Sequence, residues 1–170
     1  MPNINIDMKI INVVAAIIKK NNKVFITQRG HGEFKGKWEF PGGKIEVGES
    51  PEDAIVREIK EELKSNIEVV RLYDEINDIH GDKTFNVKFF ICNLISGDLV
   101  LTEHLASKWI YPSEINESDF MEADKTVLEN LKSGKFKAFG VLHKYANPAL
   151  IGKERELMTD AIVEKYVKHK

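Results

Sequence analysis

Hydrophobic and polar positions along the chain follow two patterns, of which the first is typical of strands. Residues 9–18 are almost continuously apolar and rich in β-branched side chains, which predicts a strand buried on both faces. A polar turn at 19–23 leads to a second predicted strand at 24–29. Further strands are predicted at residues 38–46 (broken at Pro41), 67–76, 84–94 and 107–112. The segment 77–83 is expected to be a hairpin-type connection.

Helical periodicity is the second pattern, and one segment also carries clear end signals. Ser50 can cap a helix, Pro51 suits the first helical position, and Asp53 completes a capping box. This helix should run to about Leu63, and a second helix is predicted over Glu122–Lys132. Strands and helices mix without regular alternation, which predicts an α/β domain with a mixed sheet and helices on its faces.

Length, composition and charge narrow the possible classes of protein. The chain has 170 residues, of which 42% are hydrophobic and 31% charged, as is ordinary for one globular domain. We expect the domain to occupy residues 1–133, with residues 134–170 packed on it as an extension. Apolar side chains at helical spacing in residues 152–170 predict an added C-terminal helix. The net charge of −2 gives no electrostatic footprint for binding duplex nucleic acid.

Cysteine, histidine and leader patterns exclude several other classes. The single cysteine, Cys92, lies in an apolar run and cannot build a disulfide framework or a zinc site. The N-terminal segment lacks the pattern of a cleavable leader, and the apolar run 10–18 is too short to span a bilayer. By elimination we expect a cytoplasmic location and no membrane partner. The five histidines show no metal-ligand spacing and are expected on the surface or in loops: His31, His80, His104, His143 and His169.

Acidic residues crowd into positions 49–62, which include the first predicted helix. On a helical wheel three glutamates share one face beside the apolar side: Glu58, Glu61 and Glu62. Like charges at these spacings destabilise a helix by a few tenths of a kcal/mol per pair, at order of magnitude. Magnesium offers a reason for such a face, because Mg²⁺ prefers oxygen ligands from carboxylates, phosphates and water. The alternative is a solvated acidic face on which Arg57 and Glu61 form an ordinary i,i+4 pair.

The stretch "GGKIEVGESPEDAIVREIKEEL" resembles the signature of the Nudix hydrolases, in which a glycine, a glutamate and an Arg-Glu-apolar-any-Glu-Glu run stand at fixed separations. The matching positions are Gly43, Glu49, Arg57, Glu58, Ile59, Glu61 and Glu62. One departure follows, since Lys64 and Ser65 replace a glycine and an apolar residue. That glycine usually ends the helix in a left-handed conformation. Because Asn66 also tolerates this conformation, the helix is expected to stop later.

The resemblance implies an α/β/α sandwich with a mixed sheet and a set of site residues around a divalent cation, Mg²⁺ or Mn²⁺. It implies metal binding by Glu58, Glu61, Glu62, Glu103 and Gly42. Catalytic roles are implied for Glu58, Arg57, Glu61 and Glu103, with Gly43 and Glu49 as structural members of the signature. Either Glu58 or Glu103 would take the proton from water, whereas Arg57 would orient carboxylates, Glu49 or Glu61. The alternative for Glu103 is an ordinary loop glutamate.

The stretches at residues 24–30, 37–50 and 102–131 are similar to the MutT-like branch of the family, and this similarity implies residues that bind substrate. Arg29 would approach the phosphates and Asp124 would read the nucleobase edge, whereas Trp38 and Phe40 would wall the base pocket. The alternatives are that Arg29 is a surface residue and that Asp124 is an exposed residue in the first turn of a helix. Trp38 and Phe40 would then be ordinary aromatic core residues.

The implied function is hydrolysis of a nucleoside triphosphate to the monophosphate and pyrophosphate, with 8-oxo-dGTP or CTP/dCTP as substrate. The protein would be a monomer or a homodimer. Two alternatives stay open. One is an ADP-ribose or other nucleoside diphosphate-X hydrolase, and the other is a non-catalytic nucleotide-sensing domain.

Overall fold

The computed structural model describes residues 9–133, which form seven strands and two α-helices. The strands are β1 Lys9–Lys20, β2 Lys23–Gln28, β3 Trp38–Glu39, β4 Gly42–Lys44, β5 Asn66–His80, β6 Lys83–Ser96 and β7 Ala106–Ile110. The α-helices are α1 Pro51–Leu63 and α2 Glu122–Lys132, and two short 3₁₀ helices precede α2 at Pro112–Glu114 and Glu117–Asp119. The predicted extension 134–170, with its helix at 152–170, lies outside the described residues.

All seven strands join one mixed sheet, in agreement with the predicted α/β class. The main order is β3-β2-β1-β6-β5, with β4 paired to β1 and β7 paired to β2. Strands β1 and β6 run parallel, so that Val13 lies beside Val87, and the other pairs are antiparallel. Strand β1 is therefore central, which explains its nearly continuous apolar sequence.

The two helices cover opposite faces of the sheet, and alternate residues of β1 separate the two cores. On one face Val14, Ala16 and Ile18 belong to a buried cluster with α1. The helix contributes Ala54, Ile55, Ile59 and Leu63 to it. On the other face Ala15 and Ile17 cluster with α2, which contributes Ala123, Val127 and Leu128. The described part of the chain thus has the α/β/α layering that the sequence predicts.

Helix α1 begins and ends at the predicted residues, but its end has a different cause. The Ser50 hydroxyl accepts a hydrogen bond from the Asp53 amide at 3.1 Å, as in a capping box. The expectation that the helix stops later, at Asn66, is wrong. Lys64 itself takes the left-handed conformation, with φ 52° and ψ 33°. The buried Ser65 hydroxyl then donates to the Leu63 carbonyl at 3.0 Å, which fixes the turn into β5.

Two predicted boundaries within the sheet are corrected by the structure. The predicted strand 38–46 is two short strands, because the chain turns at Pro41, and the second of them, β4, ends at Lys44. The predicted connection 77–83 is mostly strand, and only Gly81 and Asp82 lie between β5 and β6. Near the end of the β5–β6 hairpin the residues are mostly polar and show no apolar alternation, so the sequence pattern underestimates the length of the two strands. Neither α-helix in the described part of the chain is long and apolar enough to cross a membrane.

Candidate active site

Arg57 on α1 organises the acidic residues of the signature. Its Nε and Nη2 atoms donate to the two carboxylate oxygens of Glu49 at 2.8 and 2.9 Å. Its Nη1 atom donates to Glu58 at 2.9 Å and to Glu61 at 3.3 Å. Nη2 also donates to the Lys44 carbonyl at 3.1 Å, which ties the helix to β4. The hydrogen bond from Arg57 lowers the pKa of Glu49, so this pair stays ionised. The guanidinium thus fixes the positions of three carboxylates.

The glycine pair brings β4 against both the central strand and the glutamates. A Cβ atom on Gly42 would lie 2.0 Å from the Val14 carbonyl oxygen, so only glycine allows this approach to β1. A Cβ atom on Gly43 would lie 2.4 Å from the carboxylate of Glu58. The two glycines therefore have different roles: Gly42 permits β4 to pair with β1, and Gly43 makes room for the Glu58 carboxylate.

We call five glutamates of the site the acidic group: Glu49, Glu58, Glu61, Glu62 and Glu103. Among them, Glu62 has a strongly raised pKa. Its Oε2 atom is buried and has no hydrogen-bond partner among residues 9–133. Burial is the largest cause that raises the pKa of Glu62, and the charges of Glu58, Glu39 and Glu103 add to the rise. A hydrogen bond from the Gly42 backbone opposes it, and the resulting pKa is about 8. Negative charge from four carboxylates therefore converges on this point.

Glu103 reaches the site from the segment between β6 and β7. Its neighbour Thr102 donates its amide to the Glu62 carbonyl at 3.0 Å, and the Leu105 amide donates to the Gln28 carbonyl at 2.9 Å. A Cβ atom on Gly30 would lie 2.0 Å from the Glu103 carbonyl oxygen, so the two loops approach closely. The structure thus brings this exposed glutamate to the end of α1, although it lies far from the signature in the sequence.

The sequence analysis missed two residues of the site, His104 and Glu39. His104 lies in the loop between β6 and β7, as the prediction of a surface or loop position allows, but its side chain is only 6% exposed. Its Nε2 atom lies 3.7 Å from Glu39 and 3.9 Å from Glu62, and burial lowers its pKa. Glu39 bonds Arg29 at 2.6 Å; burial raises the pKa of Glu39, whereas Arg29 lowers it. A lone histidine in a polar segment gives no periodic signal, so only the tertiary structure shows its burial.

A cavity of about 200 Å³ opens on the α2 side of the sheet. Phe40 is buried at its edge, and its amide donates to the Asp124 carboxylate at 3.0 Å. Asp124 is 6% exposed, so the alternative of an exposed first-turn residue is wrong. Burial raises the pKa of Asp124 to about 8. The lining includes Arg29, Phe34, Glu39, Phe40, Gly42, Gly43, Asp78, His80, Phe85, Val87 and Asp124.

Two other predicted substrate residues take different positions around the cavity. Arg29 lines it and pairs with Glu39, whose charge also raises the pKa of both Glu62 and Asp124. The cavity and the acidic group are therefore neighbours. Trp38 is not part of the cavity lining formed by the described residues, and the Lys108 ammonium lies 4.1 Å from its ring centroid. Stacking of a base on Trp38 has no support in this geometry.

The donor set of the acidic group suits a hard divalent cation. It offers carboxylate oxygens, one of which is buried and has no hydrogen-bond partner among the residues that the structure describes. The pKa of Glu62 is raised first by burial and then by neighbouring carboxylates, and a bound cation would offset both effects. Within residues 9–133, no three or more histidine, cysteine, aspartate or glutamate side chains are already gathered as a metal-binding group. Glu58 and Glu61 instead bond Arg57.

Comparison with known families decides how this geometry is classified. Residues 8–131 match the NUDIX domain. The chain is a Nudix hydrolase. It is 33% identical over 127 residues to the 8-oxo-dGTP diphosphatase of Escherichia coli (strain K12), a match that covers 74% of this chain and 98% of that protein. It is also 34% identical over 123 residues to the CTP pyrophosphohydrolase of the same organism, covering 72% and 91% of the two chains.

The comparison of structures agrees with this assignment. The solution structure of the E. coli ORF135 protein superposes on this Nudix hydrolase with a TM-score of 0.64 and 32% sequence identity, and the match covers 74% of this chain and 91% of that one. Together the relatives place the chain in the MutT-like branch of the Nudix family.

Proposed function

We propose that this Nudix hydrolase is a divalent-metal-dependent nucleoside triphosphate pyrophosphohydrolase that releases a nucleoside monophosphate and pyrophosphate. The observation that carries the proposal is the position of the acidic group beside a small cavity, with Arg29 and Glu39 between them. A nucleotide has the same layout, because its base and its phosphates lie at opposite ends. The names of the relatives, 8-oxo-dGTP diphosphatase and CTP pyrophosphohydrolase, support this class of substrate.

The acidic group would hold the metal. Its ligands would be Glu58, Glu61, Glu62, Glu103 and the carbonyl of Gly42. Bound Mg²⁺ or Mn²⁺ would supply charge neutralisation on the phosphates and lower the pKa of a water molecule. Arg57 would act as a positioning residue, because its hydrogen bonds within the described part of the chain go to carboxylates and to a backbone carbonyl.

Glu58 or Glu103 would accept the proton of the attacking water. Burial raises the pKa of Glu58, which moves this carboxylate toward the working pH and favours it as the base. The carboxylate also lies close to Gly43, where a Cβ atom would displace it. Glu103 is exposed in the described structure, and it would serve mainly to bind the cation.

The cavity would hold the base. Its volume of about 200 Å³ is below the roughly 300–1,000 Å³ of whole-ligand pockets, so it fits a base rather than an entire nucleotide. The raised pKa leaves Asp124 mainly protonated at pH 7, and a protonated carboxyl both donates and accepts hydrogen bonds. Oxidised guanine and cytosine both present a donor next to an acceptor, as the other bases also do, so Asp124 could bond either of them. The names of the relatives select 8-oxo-dGTP and CTP or dCTP as the proposed substrates.

A pyrophosphate-release screen tests the proposal. The panel contains normal and oxidised nucleoside triphosphates together with ADP-ribose, each with Mg²⁺ or with Mn²⁺. We expect pyrophosphate and a nucleoside monophosphate in equal amounts from at least one triphosphate. Hydrolysis of ADP-ribose alone would move the chain to the nucleoside diphosphate-X hydrolases. Binding without any turnover would favour the sensing alternative. The cytoplasmic location and the monomeric or homodimeric state stay predictions.

A further inference from the structure

The cavity wall beyond Phe40 and Asp124 carries three rings and a second acid. The His80 ring lies 5.5 Å from the Phe34 ring and 5.9 Å from the Phe85 ring, measured between centroids. Its Nε2 atom lies 2.8 Å from the Asp78 carboxylate. All four residues line the same cavity as Asp124. The base pocket therefore has a polar group that the proposed function does not yet use.

The chain brings this group together from two remote places. Asp78 and His80 are two residues apart at the end of β5 and so face the same side of the strand. Phe34 comes from the loop between β2 and β3. That loop is closed by hydrogen bonds of the Arg29 amide with the Lys37 carbonyl and of the Gly36 amide with the Arg29 carbonyl, each 2.9 Å long. The loop that starts at Arg29 thus also sets Phe34 against His80.

Exposure indicates that the ring is available to a ligand. The His80 side chain is 38% exposed, whereas its partner Asp78 is only 16% exposed. A neutral imidazole that donates through Nε2 keeps Nδ1 as an acceptor, and its ring face offers a stacking surface. Phe34 and Phe85 meet the ring at interplanar angles of 58° and 74°, so neither stacks parallel to it, and neither side chain has a polar atom that could bond Nδ1. A simpler alternative is that the Asp78–His80 pair only stabilises the end of the β5–β6 hairpin.

We propose that His80, oriented by Asp78 and Phe34, contacts the nucleobase and, together with Asp124, determines which base is accepted. The inference rests on the proposed function, because it assigns the cavity to the base. Two polar groups of different chemistry, on different elements, discriminate between base edges better than one. His80 would therefore affect binding and base preference, whereas the rate of the chemical step would depend on the acidic group.

Two substitutions separate the ring from its hydrogen bond. His80→Phe keeps a ring for stacking, and His80→Gln keeps a hydrogen-bonding group without the ring. The matched control is Ile79→Ala, since Ile79 is the adjacent residue, lies on the opposite face of β5 and is 61% exposed. For each variant we would measure kcat and KM with the preferred triphosphate and with a second one. Binding of 8-oxo-dGMP, dGMP, CMP and AMP would be measured by calorimetry without metal.

We expect at least one His80 variant to raise KM for the preferred triphosphate about three- to tenfold, with kcat within about twofold of wild type. The ratio of kcat/KM between the two triphosphates should narrow by about the same factor, and the affinities for monophosphates should change in parallel. Ile79→Ala should leave the ratio unchanged. Unfolding midpoints of all variants would show whether they fold, and Asp78→Asn replaces any variant that does not.

The inference is overturned if both folded His80 variants keep the wild-type ratio and the wild-type monophosphate affinities. It is also overturned if every base loses affinity equally. These outcomes differ from a failure of the proposed function, in which the wild-type protein releases no pyrophosphate from any triphosphate. In that case the monophosphate measurements still decide whether His80 contacts a base.

Discussion

The acidic group and the base cavity lie side by side, yet they are assembled in different ways. Apart from Glu103, the acidic group comes from residues 42–62, and a single arginine bonds three of its carboxylates. The cavity takes its lining from β1, β3, β4, β5, β6, α2 and the loop after β2. Local sequence thus determines the group that would perform the chemistry, whereas long-range packing determines the pocket that would choose the substrate.

The two regions also differ in how they hold charge. In the acidic group, repulsion among glutamates is partly balanced by Arg57, and the buried oxygen of Glu62 stays without a partner in the described structure. In the cavity, Asp124 receives a backbone hydrogen bond and is neutralised by its raised pKa instead. The first arrangement suits a cation and the second suits a neutral base. Substitutions in one region should therefore affect turnover, and those in the other should affect selectivity.

The largest effect is expected from Glu62→Gln. Loss of this carboxylate should lower kcat by about a thousandfold, because it removes a ligand of the proposed cation. The same change should raise the free energy of unfolding at pH 8 in the presence of a chelator, since it removes an acid whose ionisation is unfavourable in the folded protein. Pyrophosphate release and urea unfolding measure the two quantities.

The control for this variant is Glu52→Gln, which changes an exposed glutamate in the first turn of the same helix. It should leave kcat within about twofold of wild type. Retention of full activity by Glu62→Gln would remove Glu62 from the metal-binding group.

The next largest effects are expected from alanine substitutions at two adjacent glycines, Gly42 and Gly43, which should affect stability and kcat differently. Gly43→Ala places a methyl group against the end of the flexible Glu58 side chain, which can move, so the cost in stability should stay below about 1 kcal/mol. The displaced carboxylate should nevertheless lower kcat by about a hundredfold. Gly42→Ala meets the backbone of β1 instead and should destabilise the fold by about 2–3 kcal/mol. Equal loss of stability in both variants would contradict the separate roles of the two glycines.

A smaller effect, confined to the cavity, is expected from the titration of Asp124. Its pKa of about 8 in the folded protein lies above its ordinary value of 3.8, so between these values the folded state keeps a proton that the unfolded state has released. Stability should therefore fall as pH rises from about 5 to 8. Glu62 adds a slope of the same sign.

Asp124→Asn isolates the contribution of Asp124 to that slope. The variant should show a shallower fall of the free energy of unfolding between pH 5 and 8, measured in urea. Asp119→Asn, at an exposed aspartate of the preceding 3₁₀ helix, should reproduce the wild-type slope. Identical slopes in the wild type and Asp124→Asn would show that Asp124 is already ionised in the folded protein at low pH.

The same contrast explains what could be predicted from the sequence. Both described helices were predicted with their observed bounds. The Ser50 cap and apolar periodicity mark α1, apolar periodicity marks α2, and these signals are local. The signature residues are likewise close in sequence. The positions of Glu103, Asp124 and Arg29 were inferred only from resemblance, since their distance from α1 in the sequence gives no physical sign of proximity. Their proposed roles stay predictions, although the structure brings Glu103 to Glu62 and places Asp124 in the cavity.

Other features could not be predicted because they arise from packing between distant segments. His104 is buried by a loop crossing that also involves Gly30 and Glu39, and none of these residues stands out in a hydrophobic pattern. The extra length of β5 and β6 is carried by polar side chains that pair across the hairpin, such as Asn77 with Asn86 at 2.9 Å. Patterns of apolar residues do not register pairing of this kind.

The smallest effect is expected where the sequence departs from the family signature. Lys64 ends α1 with φ 52°, a conformation that costs a residue with a Cβ atom about 1 kcal/mol relative to glycine. Glycine also increases the entropy of the unfolded chain, which offsets part of that gain. Lys64→Gly should therefore raise the free energy of unfolding by about 0.5 kcal/mol and leave kcat unchanged. The matched variant Lys60→Gly, in the interior of the same helix, should instead lose about 1 kcal/mol. If urea unfolding shows a loss of stability for both variants, the left-handed turn at Lys64 does not control the end of α1. Contacts such as those of the buried Ser65 hydroxyl with Leu63 and Leu99 would then be sufficient to hold the end of the helix.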